Sequence, residues 1–561
     1  MKTKIFMGCL MAASLFTMTS CSDFLTEDPK GQLTPDNFPA NKDDLTNSIH
    51  TLYEKMNQTQ SWTNPMYPQW QGDDMTANPG SNKQAVAALD GFSSNGDNKG
   101  VTGAWDQHYA AIKAANLLLA TAKNAMSEKS GVTESDVALA EAQAHYWRAY
   151  CYFYLVRIFG PLPLITTTDV SLYDVKLSSV EDIYNLIVED LKAAEKSLPI
   201  EYDVVPQHHD GVDAWVTKQA CQATMTAVYM AMAGYPLNKG TEYYKLAANK
   251  AKEVIDNNST YGFYVDEDWS HVYSMGHNYN KETILGIDNS PLVNWSHDSE
   301  LTSCCRFEGL GDGGWGDAWG EIAFWKRYPE GPRKNVVYAP KVTFQEGYTI
   351  TKAVDWWELD ENGNKVVAAY HPMFATYSRN ADANGKEIME PYDYMKPNYK
   401  GMTNGHRHRV IRYSELLLWY AESAARSGGD LNKAKEYLRL IRKRAVTDYE
   451  NVTLSSGATV RIADMTADQL AEACYIEHGW EVAGYWTAMV TRRADEFRMN
   501  ELKKNFDYRV ANKEIEVANV NGKSYKAKES VTVTKSTWDG DNSIYCPYPT
   551  LEAEKNPNLH R

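Results

Sequence analysis

Residues Val410 to Ala445, VIRYSELLLWYAESAARSGGDLNKAKEYLRLIRKRA, constrain the fold more than any other stretch of this 561-residue chain. Leu417, Tyr420, Ala421 and Ala424 recur at helical spacing, and the small alanines let a partner backbone approach closely. Gly428 and Gly429 end that helix by tolerating left-handed dihedrals, and Asp430 is placed to cap the next. Ala434, Leu438 and Ile441 then follow the spacing of the second helix of a tetratricopeptide-type repeat. One such hairpin cannot bury its own apolar face, so partners must exist elsewhere in the chain.

Two further stretches supply them. In Ser178 to Pro199, Ile187, Leu191, Ala194 and the terminal Pro199 repeat the second-helix pattern. In Asp213 to Asp256, Thr217, Ala220, Ala223 and Ala227 mark a first helix, and Ala247, Ala251 and Val254 a second. Helical periodicity also predicts helices over Asp43 to Met56, Trp105 to Met126, Glu134 to Phe159 and Thr466 to Arg498. Ser61 to Asp106 reads as a long loop region. Between Asn257 and Tyr413 the helical period fades into a segment rich in Gly, Trp, Tyr and Asn, with strand-like runs at Thr283 to Ile287 and Val366 to Ala369 and a turn at Asn362-Gly363. The predicted fold is mainly α: tetratricopeptide-like repeats at about 105–256 and 410–498 form a superhelical frame. A loop-rich insertion at about 257–409 interrupts it, and a tail of short β-hairpins covers 499–561.

The N-terminus is a targeting segment. Lys2 and Lys4 precede an apolar run, Ile5 to Leu15, too short to cross a bilayer, and Cys21 follows Met18-Thr19-Ser20. The pattern predicts a lipoprotein signal over 1–20, lipidation of Cys21, a polar tether over 21–42 and a single domain over 43–561. A formal net charge of −16 with no basic tract argues against nucleic acid and against an anionic bilayer surface as ligands, so membrane contact is expected through the lipid only. The cysteines beyond the tether, Cys151, Cys221, Cys304, Cys305, Cys474 and Cys546, are scattered without C-x-x-C spacing and indicate neither a zinc site nor a disulfide framework.

Aromatic residues make up 12% of the chain, with 36 Tyr and 16 Trp against 14 Phe, an excess of rings that carry a polar handle. Recognition of a neutral sugar needs such rings as platforms for C–H faces, rimmed by carboxylates and amides that bond the hydroxyls. Two stretches meet that need: Trp62 to Asp74, and Tyr279 to Trp325, where six glycines between Gly309 and Gly320 leave tryptophans uncovered. The expected carbohydrate-binding residues are Trp295, Trp315 and Trp319, with Trp70, Asp73 and Asp74 on the facing loop; core packing is the competing reading for each ring. No catalytic constellation, metal site or cofactor is predicted. Gly309 to Gly314 lacks the lysine and flanking helix of a phosphate cradle, and His406-Arg-His408 reads as a solvated loop.

Four motifs carry a family resemblance. Ala140 to Pro163, AEAQAHYWRAYCYFYLVRIFGPLP, Trp215 to Gly234, the Arg412 to Glu422 run RYSELLLWYAE and the C-terminal YCPYPTLEAEKNPNL resemble the SusD/RagB outer-membrane lipoproteins of Bacteroidetes over nearly the whole chain. Where that family carries Glu-Arg, Glu-Gly-x-Arg and Asp-Leu in its last long helix, this chain has Glu477-His478, Ala483-Gly484-Tyr485-Trp486 and Ala488-Met489. The resemblance implies a non-catalytic surface glycan-binding protein, lipid-anchored in the outer membrane, that hands oligosaccharide to a TonB-dependent transporter of the SusC type. A peptide-binding scaffold of the same family and a surface glycosidase are the alternatives.

Overall fold

A computed structural model describes residues 34–560 apart from 35–36, 61–63, 128, 171–172, 204–207, 210–211, 290–315, 347–348, 368–369, 377–378, 382–386, 390–405 and 531–537. The architecture is mainly α. The N-terminal half holds helices α1 (Lys42–Gln58), α2 (Gln84–Asp90), α3 (Lys99–Thr121), α4 (Glu134–Phe159), α5 (Val180–Ser197), α6 (Lys218–Ala233) and α7 (Thr241–Asp256). The insertion holds α8 (Ile322–Arg327) and α9 (Pro332–Val337), and after it come α10 (Tyr413–Ser427), α11 (Leu431–Ala445), α12 (Ala467–Glu481), α13 (Arg492–Arg498), α14 (Leu502–Ala511) and α15 (Thr550–Lys555). The strands used below are β1 (Met75–Ala77), β2 (Thr283–Ile287), β3 (Ala318–Gly320), β4 (His408–Arg412), β5 (Glu514–Val520) and β6 (Lys523–Lys528), each in a two-stranded antiparallel pair.

The hairpin α10–α11 forms as its sequence dictates. Leu417, Ala421, Ala424, Ala434, Leu438 and Ile441 are buried, Gly428 takes φ +73°, and the Asp430 side chain accepts from the N–H groups of Asn432 and Lys433. Its unpaired face is covered by α7 and α12, while α3 to α6 pack in sequence as the preceding pairs, so one continuous core runs through both halves. Side-chain caps start most of these helices: Asn98, Thr133, Ser179, Thr217 and Thr466 each accept an orphan N–H of the first turn.

Three expectations are corrected. The helix expected over Thr466 to Arg498 is two, α12 and α13, because the chain turns at Gly484, where φ is +67° and the N–H donates 2.7 Å to Asp74 Oδ2. The loop expected over 61–106 contains β1, α2, the start of α3 and a 3-10 turn at Asn64–Gln71, and the insertion contains α8 and α9. The tract His406 to Arg409 is not solvated: all four side chains are buried, β4 pairs with β2, His408 Nδ1 lies 3.0 Å from Gln60 Oε1, and Arg407 donates 3.0 Å to the Asp213 carbonyl. Strand alternation in a two-sided core buries even a basic run when backbone carbonyls absorb its donors.

A buried ionic network ties the insertion to the repeats. Glu481 accepts from Arg333 (2.7 Å) and Arg412 (2.8 Å), Glu282 from Arg444 (2.5 and 2.7 Å), and Glu477 from Arg442 (2.5 Å). His478 lies 2.5 Å from Asp495 and 3.4 Å from Glu415. Burial alone would strip its proton, but the two carboxylates prevail and push its pKa up to about 9, so an imidazolium supplies the charge that an arginine would.

Candidate functional site

The two stretches expected to face one another are brought together by a strand pair. β1 and β3 run antiparallel in the register Met75↔Gly320, Thr76↔Trp319 and Ala77↔Ala318. The seam continues on both sides: Glu321 N–H donates 3.1 Å to the Asp74 carbonyl, Asn78 N–H 3.0 Å to that of Asp317, and the Asn78 amide 2.9 Å to that of Gly316. Lys83 closes it with an ion pair to Asp317, both side chains nearly buried. The seam thus fixes the backbone from Gly316 onward, the residue that follows Trp315 in sequence.

Trp319 itself is 8% exposed and belongs to a small apolar cluster with Ile322, Trp356 and Tyr370, its ring 5.0 Å from that of His371. No close backbone approach to β3 is open to a larger residue at 320, where an added Cβ would lie 2.8 Å from Tyr338. Asp90 holds the other strand, accepting from Thr76 Oγ1 (3.0 Å) and Ala77 N–H (3.1 Å) while Arg509 donates to it (2.8 Å). Ser530 N–H donates 3.1 Å to His371 Nε2 and its hydroxyl 3.3 Å to the Ala77 carbonyl.

The facing-loop residues expected to bind sugar are placed differently. Trp70 is 1% exposed, its ring 4.8 Å from both Tyr67 and Trp486, so neither face is open. Asp73 is claimed by Arg492, 2.7 Å from its Nε, and by Arg327; burial opposes its charge, but the two guanidiniums hold the carboxyl well below the usual range. Asp74 accepts the Gly484 N–H, and burial, with the Asp73 charge adding to it, pushes its pKa up to about 6. These three side chains therefore brace the seam, and the open platform expected at Trp70 is corrected. Trp295, Trp315 and Cys21 lie outside the described residues. Sequence reasoning missed Lys83, Asp90, His371 and Ser530, because each is a lone polar residue whose partner is remote in the chain.

Carboxyl pairs do occur beside the seam. Asp73 is a near neighbour of Glu496, and Glu321 of Glu529, with burial raising Glu496 and Glu321 well above the usual range and Glu529 to about 7. Among the described residues no group of three His, Cys, Asp or Glu side chains is disposed to hold a metal ion, and no helix is long and apolar enough to cross a membrane.

Comparison with known proteins agrees with this architecture. Residues 23–230 match a SusD-like family described as starch-binding and associating with the outer membrane, and residues 345–561 match the SusD family. SusD-like protein P2 of Formosa agariphila is 24% identical over 440 residues, covering 77% of this chain and 80% of its own. A SusD homologue from Bacteroides thetaiotaomicron superposes with a TM-score of 0.71 at 17% identity over 94% of this chain and 97% of its own. Another solved structure, containing a xylogluco-oligosaccharide, gives 0.64 at 18% identity over 92% and 98%. With both halves matched and the fold shared end to end, the chain belongs to the SusD/RagB family.

Proposed function

We propose that the protein is a non-catalytic, cell-surface glycan-binding lipoprotein that passes oligosaccharide to a TonB-dependent transporter of the SusC type. The observation that supports this most is the β1–β3 seam, which joins the N-terminal loop to the end of the tryptophan-rich segment and gives that segment a rigid base. On this reading Trp295 and Trp315 supply the stacking faces, and Trp319, Asp73 and Asp74 hold the base in place. The two family matches and the relative solved with a xylogluco-oligosaccharide favour a saccharide as ligand. The polypeptide is held in the outer membrane through lipid on Cys21.

Calorimetry of the purified protein against an oligosaccharide panel tests the reading, with product analysis of the same mixtures. Binding without hydrolysis is expected, and Trp315→Ala or Trp295→Ala weakens it by about 1–3 kcal/mol, the scale of one lost aromatic contact at a binding hot spot. Turnover of a bound glycan, or unchanged affinity in both variants, would sink it.

A further inference from the structure

A cavity of about 620 Å³ opens between α8, α12, α13 and α14, with Asp73, Glu321 and Phe324 on one wall. Its volume lies within the range of small-molecule sites, about 300–1,000 Å³. Phe324, Tyr475, Trp480 and Tyr508 contribute aromatic wall, and Tyr508 is 50% exposed, which leaves ring surface for a ligand. Asn505 and Asn512 each commit their amide NH₂, to Glu496 and to the Tyr508 carbonyl, and so present the amide oxygen as a remaining acceptor for hydroxyl groups.

The charge of the lining is uneven. At one end Lys504 pairs with Glu501, and Arg509 bridges Asp90 and Glu321, so those groups compensate one another. At the other, Arg327 and Arg492 both converge on Asp73. Arg492 also lies 3.4 Å from Glu496, whose carboxyl burial raises well above the usual range. Arg492 is buried against Tyr475, its guanidinium 5.0 Å from the ring, whereas the Arg327 side chain is 42% exposed and lies 4.9 Å over Phe324. A guanidinium has five N–H donors, and one nitrogen of Arg327 serves Asp73, so a planar edge is left for an incoming anion. A carboxylate fits such a fork in two parallel bonds.

We propose that this cavity binds an acidic saccharide, a uronate whose carboxylate pairs with Arg327 and whose ring lies against Tyr508. The inference rests on the reading of the chain as a saccharide binder and adds a subsite built from α8, α12, α13 and α14. It is tested with the full chain by calorimetry, using trimers of galacturonate, mannuronate and glucuronate beside the neutral trimers of the same sugars. At least one uronate should bind about tenfold or more tighter than its neutral counterpart at low salt, with the preference shrinking in 0.5 M NaCl. Arg327→Gln should remove that preference, and so should Tyr508→Ala, a change at an exposed side chain that the core does not depend on. If no uronate outbinds its neutral partner, or the preference survives both cavity substitutions, the proposal is overturned; neutral glycans binding without such a preference would overturn it alone and leave the proposed function standing.

Discussion

His478 gives the fold a pH limit that can be worked out from its surroundings. The imidazole is fully buried between Asp495 of α13 and Glu415 of α10, with the Trp419 ring 5.7 Å away. Its pKa rises from 6.5 to about 9 on folding, so the folded state binds a proton that the unfolded chain has released above pH 6.5. At about 1.36 kcal/mol for each tenfold change in proton affinity, the proton contributes roughly 3 kcal/mol of stability. That contribution is fully present below pH 6.5 and is lost as pH rises through about 9. The perturbation is His478→Gln, compared with the parent chain by urea unfolding at pH 6, 8 and 10. Groups that burial keeps protonated in the fold but that titrate towards pH 10 in the unfolded chain, Cys151, Cys221 and Tyr146 among them, are common to both proteins and cancel in the difference. The parent chain should be more stable at pH 6, and its advantage should shrink by roughly 3 kcal/mol by pH 10. An advantage that stays constant with pH would refute the charged imidazole. His478→Arg, which keeps a permanent cation between the two carboxylates, should remove the pH dependence without removing the stability.

Gly484→Ala should destabilise the fold by about 3 kcal/mol, since it places an L-residue at φ +67° and a methyl group 2.2 Å from the Phe374 ring; an unchanged unfolding midpoint would contradict the packing described at that turn. Cys21→Ala should move the protein from the membrane fraction to the soluble fraction, and unchanged partitioning would reject lipidation at that residue.

The repeat frame was legible in the sequence because its signals are local. Small residues at Ala421, Ala424 and Ala434, the glycine pair at 428–429 and the Asp430 cap act within a few residues of themselves, and the buried faces follow from a 3.6-residue period. The departure at Glu477-His478 was visible too, though not its meaning, which depends on Asp495 and Glu415 arriving from other helices. The site was less legible. Trp70 and Trp319 carry the same residue type as a sugar platform, but their exposure is decided by what packs on them: Trp486 against one, His371 and the cluster around Trp356 against the other. The run His406 to Arg409 is basic and reads as surface, yet β4 is a core strand because carbonyls and carboxylates from remote segments, Asp213 and Asp288 among them, meet its donors. Periodicity and capping are properties of neighbouring residues and stand in the sequence by themselves. Burial, pairing and proton affinity are set by groups that only the folded chain brings together, so the tertiary structure alone decided which aromatic rings and charges became frame.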